Sequence, residues 1–380
     1  MALPYPVIDA DAHVNPPHDF WAEYLPARFR DVAPRVEPGE DVDYVVFEGK
    51  RRKISTITAL AGKKAEEYKL FGKKVDTLPG GWMPYERLKD MDKDGMHAAV
   101  LFGGGPLGTA SRELYIESFE AYNRWIMDFC KIEPGRLIGV AYLPMMDVAY
   151  TIELMRRMAK LGFRSVNIPA FPQPADYNPG SSGSQMLALT GDATGTRSYS
   201  DPEFDPFWAA AGELDMTITV HLGARSARFG QPDKYVPDLL MTKLAMAEPI
   251  AILILGAVFQ RHPKLKFVSV ESSVGWMAFA ANYMDKTWER HRHWTKSPLT
   301  EKPSFYMAQN VYASFLDDTV GINNRNEPGA GNIMWSSDYP HSETTFPNSL
   351  ETIERNFAGI PEADKRAIIS DRARMVYHID

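Results

Sequence analysis

Val7-Ile8-Asp9-Ala10-Asp11-Ala12-His13, followed closely by Asn15-Pro16-Pro17, alternates apolar side chains with ones able to bind a metal. A strand sends successive side chains to opposite faces, so this spacing predicts that Asp9, Asp11 and His13 share one face. Two carboxylates and an imidazole on the buried face of a first strand are costly without a partner. A divalent metal at the strand's end is the simplest partner, which makes an enzyme the leading reading.

Working outward, seven further β-like runs follow: Ala98-Phe102, Leu137-Tyr142, Arg164-Ile168, Met216-His221, Lys266-Glu271, Asn310-Phe315 and Asn332-Ser337. Helical patterns lie between them at Glu113–Glu133, Asp147–Leu161, Pro206–Leu214, Lys243–Gln260, Gly275–Trp294 and Ser349–Ala358, with a closing helix at Pro361–Val376. Strands alternating with helices predict parallel βαβ units, and eight of them fit an α/β fold closed as a (β/α)8 TIM barrel. Two stretches interrupt the rhythm, after predicted strands 1 and 4. Residues 35–85 hold a strand-like run at Val42–Phe47 and a basic patch from Lys50-Arg51-Arg52-Lys53 to Lys73-Lys74. Residues 171–205 are rich in Pro, Gly, Ser and Asp and read as an extended loop. Both follow strand ends where barrel enzymes build their sites, so the first is expected to act as a cap. With no internal repeat, residues 1–380 read as one barrel domain carrying two insertions.

The other strand ends sharpen the chemistry. His221 closes the fifth run on the face of Thr217 and Thr219. Glu271 closes the sixth, and the eighth runs into Asp338. Four strands thus each end in a metal-capable residue, and in a barrel those ends converge on one face. Each alone has a plainer reading: His221 as a satisfied strand-end group, Asp338 as a turn former, Glu271 as a helix cap. Their coincidence is the argument.

Composition narrows the rest. Of the 380 residues 44% are hydrophobic and 24% charged, ordinary for a globular chain, and a net charge of -7 argues against nucleic acid or an acidic membrane as partner. The single cysteine, Cys130, excludes an intramolecular disulfide and Cys-rich zinc modules. No apolar run approaches the ~18 residues of a membrane span, and no secretory leader pattern opens the chain, so it reads as cytoplasmic. His291 and His293 mimic a ligand pair, but on a helix positions i and i+2 diverge. His262 beside Pro263 reads as a helix-end group, and Gly103-Gly104-Gly105 lacks the spacing of a nucleotide loop.

Asp9-Ala10-Asp11-Ala12-His13, the segment at His221-Leu222-Gly223 and Trp335-Ser336-Ser337-Asp338-Tyr339-Pro340-His341 together resemble the amidohydrolase superfamily. The nearest branch looks like that of aminocarboxymuconate-semialdehyde and γ-resorcylate decarboxylases. Gly162-Phe163-Arg164 and the run from Asp201 to Trp208 extend the resemblance over nearly the whole chain. It implies a metal held by Asp11, His13, His221 and Asp338, with Asp9 supporting the first strand. Asp11 departs from the usual His or Glu, and Glu271 stands where those decarboxylases carry a catalytic His. Two readings stay open. Glu271, with Asp338, does acid–base work at one zinc or iron ion, in hydrolysis or decarboxylation of a small to medium organic acid, ester or amide. Alternatively Glu271 is itself a ligand, with His341 completing a two-metal site, and a diiron monooxygenase acts on a larger, coenzyme A-linked substrate whose phosphates meet the basic patch. Arg225 and Arg228 are the candidates for a substrate carboxylate, and a homodimer is the expected assembly. A binding protein that has lost its chemistry is the third reading, which the intact constellation disfavours.

Overall fold

The structure is a computed structural model and describes residues 3–173, 197–222 and 231–380. Its strands are β1 (Ile8–Val14), β2 (Arg35–Glu37), β3 (Tyr44–Phe47), β4 (Lys50–Lys53), β5 (Ala98–Gly103), β6 (Leu137–Gly139), β7 (Ala141–Tyr142), β8 (Ser165–Asn167), β9 (Thr217–His221), β10 (Phe267–Val270), β11 (Val311–Phe315) and β12 (Ile333–Trp335). All but β2–β4 pair in parallel, in the orders β1-β5-β6 and β12-β11-β10-β9-β8-β7. β6 and β7 are one strand interrupted at Val140, whose N–H still reaches the Leu101 carbonyl at 3.2 Å. Beyond β12 the chain bonds back to β1: Asp338 N–H donates to the Asp11 carbonyl at 3.0 Å and His13 N–H to that of Tyr339 at 2.5 Å. The ring is the (β/α)8 barrel that the strand-and-helix rhythm predicts.

Ile8, Ala10, Ala98, Val100, Phe102, Val140, Val268, Val270 and Met334 belong to one buried cluster drawn from β1, β5, the β6–β7 junction, β10 and β12. Small residues among them suit the narrow interior of an eight-stranded barrel, which is packed and not a pore. Val376 and Tyr377 join the same cluster, and Thr217 at the start of β9 donates to the Val376 carbonyl at 2.5 Å. The C-terminal segment therefore closes the end where strands begin, leaving the opposite end for a site.

Two helices differ from the periodicity. The run expected as one helix over Lys243–Gln260 is Tyr235–Leu244, Ala247–Leu255 and Val258–Arg261. Pro249 lacks an N–H and fits only the first turn of a restarted helix. Ala257 then sits in the left-handed region at φ 59, which ends the second piece. Gly256 cannot be larger, because a Cβ there would meet the Cβ of Ser200 at 2.2 Å. The closing helix is likewise divided, with a π-helical turn at Ala367–Asp371 between Glu362–Arg366 and Arg372–Tyr377.

The first insertion begins as an antiparallel sheet, β2-β3-β4, with Tyr44 opposite Lys53. Its β3–β4 turn, Glu48-Gly49, has φ of 47 and 71, the paired positive values that match the twist of a two-residue hairpin. Glu48 accepts from Thr109 Oγ1 at 2.5 Å and Ala110 N–H at 3.2 Å, pinning that turn to the barrel. Lys50–Lys53 are exposed along β4, and Arg51 lies 3.3 Å from the Tyr44 ring centre and 3.0 Å from Glu37. Of the second insertion, 174–196 lies outside the described residues. Arg197 ties its end down by donating to the carbonyls of Met145, Met146 and Gln173. Among the described residues no helix is long and apolar enough to cross a membrane.

Asp94 ends the helix Pro84–Asp94 and accepts from Ser349 N–H at 3.1 Å and Ser349 Oγ at 2.5 Å, joining it to the helix Ser349–Asn356. Burial pushes its carboxyl up to about 6, against the lowering effect of Ser349. The folded state therefore binds this proton more tightly than the unfolded chain. The resulting stabilisation is full below about pH 4 and is lost as pH rises through about 6, a change of at most ~3 kcal/mol. Asp94→Asn should flatten that part of the stability-versus-pH curve measured by urea unfolding between pH 4 and 7; an unaltered slope would refute the assignment.

Candidate metal centre

Strict alternation would place Asp9, Asp11 and His13 together, but β1 contains a bulge. Against β5, Asp9 pairs with Ala99 and Ala12 with Leu101, so β1 spends one residue more than its neighbour between these points. The extra residue lets Asp11 and His13 face the interior while Asp9 turns away. This corrects the expectation that all three share a face. Asp9 instead accepts from Ser337 N–H at 2.8 Å and from the Ser337 hydroxyl, tying β1 to the end of β12. Its burial pushes the carboxyl up to about 7, against those two hydrogen bonds.

A second local device brings in two more carboxylates. In β10, Val268 and Val270 point into the barrel, so continued alternation would turn Glu271 outward. Glu271 adopts φ 56 instead, and Asp338 does the same at φ 54. Left-handed backbone costs a non-glycine residue about 1 kcal/mol or more, and such conformations gather at functional sites. Ser314 Oγ accepts the Glu271 N–H at 2.9 Å, which holds the kink.

The resulting cluster is tight. His13 Nε2 lies 3.1 Å from Asp338 Oδ1, 3.3 Å from Asp11 Oδ1, 3.5 Å from Glu271 Oε2 and 3.3 Å from His221 Nε2. His221 Nε2 is 3.4 Å from Glu271 Oε2 and 3.7 Å from Asp11 Oδ1. His341 stacks on His13 at 3.7 Å between ring centres and brings Nδ1 to 2.8 Å from Asp338 Oδ1. Two donor sets emerge, Asp11–His13–His221–Glu271 and His13–Glu271–Asp338–His341. Both contain His13 and Glu271.

Two observations test whether a metal fits. Ligands about 2.1 Å from one ion stand ~3.0 Å apart at right angles and ~3.4 Å apart at tetrahedral angles, and most of the separations above fall near these values. Secondly, both carboxylate oxygens of Asp11 and both of Asp338 are buried and accept no hydrogen bond among the described residues. Buried anionic oxygens left this way are costly unless a cation sits on them. The imidazoles are their nearest positive groups. Burial raises the Asp11 carboxyl, but His13 and His221 outweigh it and hold it below the ordinary carboxylate range. His341 and His13 do the same for Asp338, again against burial. His13 is correspondingly driven well above its ordinary value, despite burial, by Asp11, Asp338 and Glu271.

Supporting groups absent from the sequence reading hold this frame. Asn167 Oδ1 accepts both His221 N–H and Thr219 Oγ1 at 3.0 Å, fixing the end of β9. Arg87, fully buried, donates to the carbonyls of Gly80 and His13 and stacks 4.1 Å from the Tyr339 ring centre. A buried arginine on the Pro84–Asp94 helix has no motif signature, so only its position in space reveals it. Arg225 and Arg228 lie outside the described residues. His262 pairs with Asp205 at 3.1 Å, and His291 and His293 are exposed, as expected of groups outside the site.

A family model described as amidohydrolase matches residues 8–379. Among solved structures, the chain is similar to an amidohydrolase from Mycobacterium avium subsp. paratuberculosis at 21% identity, covering 99% of this chain and 100% of that one with a TM-score of 0.77. It is similar also to a dihydroxybenzoic acid decarboxylase from a Polaromonas species with bound manganese and 2-nitroresorcinol, at 17% identity, 98% and 97% coverage and a TM-score of 0.63. A third is 5-carboxyvanillate decarboxylase from Novosphingobium aromaticivorans, complexed with manganese and 4-hydroxy-3-methoxy-5-nitrobenzoic acid, at 17% identity, 99% and 96% coverage and a TM-score of 0.62. At these identities the likeness carries the fold. Neither the family match nor these relatives support the monooxygenase expectation.

Proposed function

The chain belongs to the amidohydrolase family, and from that premise we propose that it hydrolyses or decarboxylates a small organic acid with the help of a divalent metal. The observation that carries this reading is the buried cluster itself, in which carboxylate oxygens of Asp11 and Asp338 that accept no hydrogen bond among the described residues face imidazoles at ligand spacing. Asp11, His13 and His221 would hold the ion, and Asp338, grouped with His13, Glu271 and His341, would stand beside it or hold a second one. The donor set is oxygen and nitrogen without thiolate, which suits manganese, iron and zinc alike. When bound, such an ion polarises a substrate oxygen and lowers the pKa of coordinated water.

Glu271 is the group we assign to proton transfer. Its Oε2 lies 3.5 Å from His13 Nε2 and 3.4 Å from His221 Nε2, which places the carboxylate beside the ion those imidazoles would hold. In hydrolysis it takes a proton from the attacking water and returns it to the leaving group. In decarboxylation it delivers a proton to the carbon that loses carbon dioxide. Asp9 acts through the backbone, anchoring β1 to Ser337. His341 and Glu271 belong to the second donor set, so room for a second ion is part of the proposal. A second copy of the chain is the partner we infer, on the exposed apolar residues Val236, Leu240, Met241 and Leu244 of one helix.

The relatives' named substrates set the first assay: carbon dioxide release from dihydroxybenzoic acids and 5-carboxyvanillate, alongside hydrolysis of their methyl esters. Protein purified without added metal should carry at least about one transition-metal ion per chain by mass spectrometry, and chelation should abolish turnover. Turnover that survives complete removal of metal would overturn the reading.

A further inference from the structure

A cavity of about 310 Å3 lies at the seam between the cap and the barrel mouth. Val45 of the cap sheet, Trp21 and Trp82 form much of its apolar wall, and the loop after β5 reaches it at Gly104. That volume is at the lower end of ligand pockets, which are mostly apolar with a few fixed polar groups. No donor of the metal cluster lines it.

Its polar groups are unusual. Lys74 is largely buried, with Nζ 4.7 Å from the Trp82 ring centre and donating to the Pro16 and Asn15 carbonyls at 2.5 and 3.5 Å. Among the described residues its ammonium pairs with no carboxylate. Asp43 accepts the Lys74 backbone N–H instead, at 3.0 Å. Burial pulls Lys74 down to about 8, so at pH 7 it still carries its charge for most of the time. His18 lines the same space, and its Nε2 is buried without a hydrogen-bond partner among the described residues. A largely buried cation beside an imidazole nitrogen that has no partner among the described residues, walled by two indoles, is complementary to an anion carried on an apolar body.

We propose that this cavity binds a small apolar carboxylate, its anion held by Lys74 and His18 and its body lying between Trp21 and Trp82. The pocket draws on residues scattered from 15 to 105, so the cap contributes a ligand site and does more than shield the barrel mouth.

Phenylacetate titrated into the metal-loaded protein, followed by calorimetry and by tryptophan fluorescence, tests this. Wild type should bind it saturably, and Lys74→Met should weaken binding ~10- to 100-fold, the worth of a charge-assisted hydrogen bond. Neutral 2-phenylethanol should bind more weakly and respond little to Lys74→Met. Ala59→Phe, which fills the cavity from its wall without touching the charge, should weaken both ligands at least ~10-fold. Metal content and thermal melting report that each variant is folded. Affinity unchanged in Lys74→Met, or in Ala59→Phe, would place the ligand elsewhere and overturn the proposal. So would the absence of saturable phenylacetate binding to wild type.

Discussion

His221→Ala is expected to lose its metal and to lower kcat/KM by ~10³ or more while the barrel stays folded. The metal's contribution to charge stabilisation is several kcal/mol, and each 1.36 kcal/mol is tenfold in rate. The fold should survive because what anchors the end of β9 is not the imidazole. Asn167 holds the His221 N–H, Thr219 bonds to Asn167 and the Val166 carbonyl, and the ladder to β10 runs through backbone groups. The side chain itself is partly open to solvent, so its removal leaves space that water can enter. Removing it also takes away one of two imidazoles that offset the Asp11 charge, which leaves that carboxylate worse paired without a cation. Metal analysis of the purified variant, read beside its thermal melt and its activity, separates these effects. A variant that keeps stoichiometric metal and near-normal turnover would remove His221 from the ligand set.

Much of this site can be read from the sequence, and what escapes reading is local geometry. The alternation in Val7–His13 points to a first strand bearing possible ligands, and the side chains at His221, Glu271 and Asp338 converge with those of Asp11 and His13. Periodicity identifies the strands because barrel strands are short, β-branched and bounded by turn residues, so existence and type are strongly encoded. It cannot register a bulge, because an inserted residue leaves the composition of the run unchanged and only shifts its phase. That is why Asp9 reads as a companion of Asp11 and proves to be the anchor for Ser337. Glu271 is the reverse case. Alternation from Val268 and Val270 would turn it away, and a single left-handed residue restores it to the cluster. Glutamate carries no preference for that conformation, so no sequence signal announces the kink. Arg87, Asn167, Ser314 and Lys74 act through partners distant in sequence, and such contacts leave no spacing to recognise.

Glu271→Gln should retain metal and lower kcat by ~10²- to 10⁴-fold, the range in which a positioned acid or base contributes. Glutamine preserves the shape of the side chain, and the Ser314 contact to residue 271 is made by the backbone N–H, so the kink should persist. What changes is the one atom that can take up and release a proton while facing both His13 and His221. If Asp11, His13 and His221 suffice for one ion, metal content at that site is maintained while the rate falls. If Glu271 is instead an obligatory ligand of that ion, metal and activity fall together, and the proton-transfer role is overturned. Unchanged turnover with unchanged metal would remove Glu271 from the chemistry altogether. The comparison is informative because Glu271 stands in both donor sets: its substitution reads out whether the shared carboxylate works on the substrate's proton or on the metal. A variant that loses one of two ions and keeps the other would assign Glu271 to the second site, with His341 as the next ligand to replace.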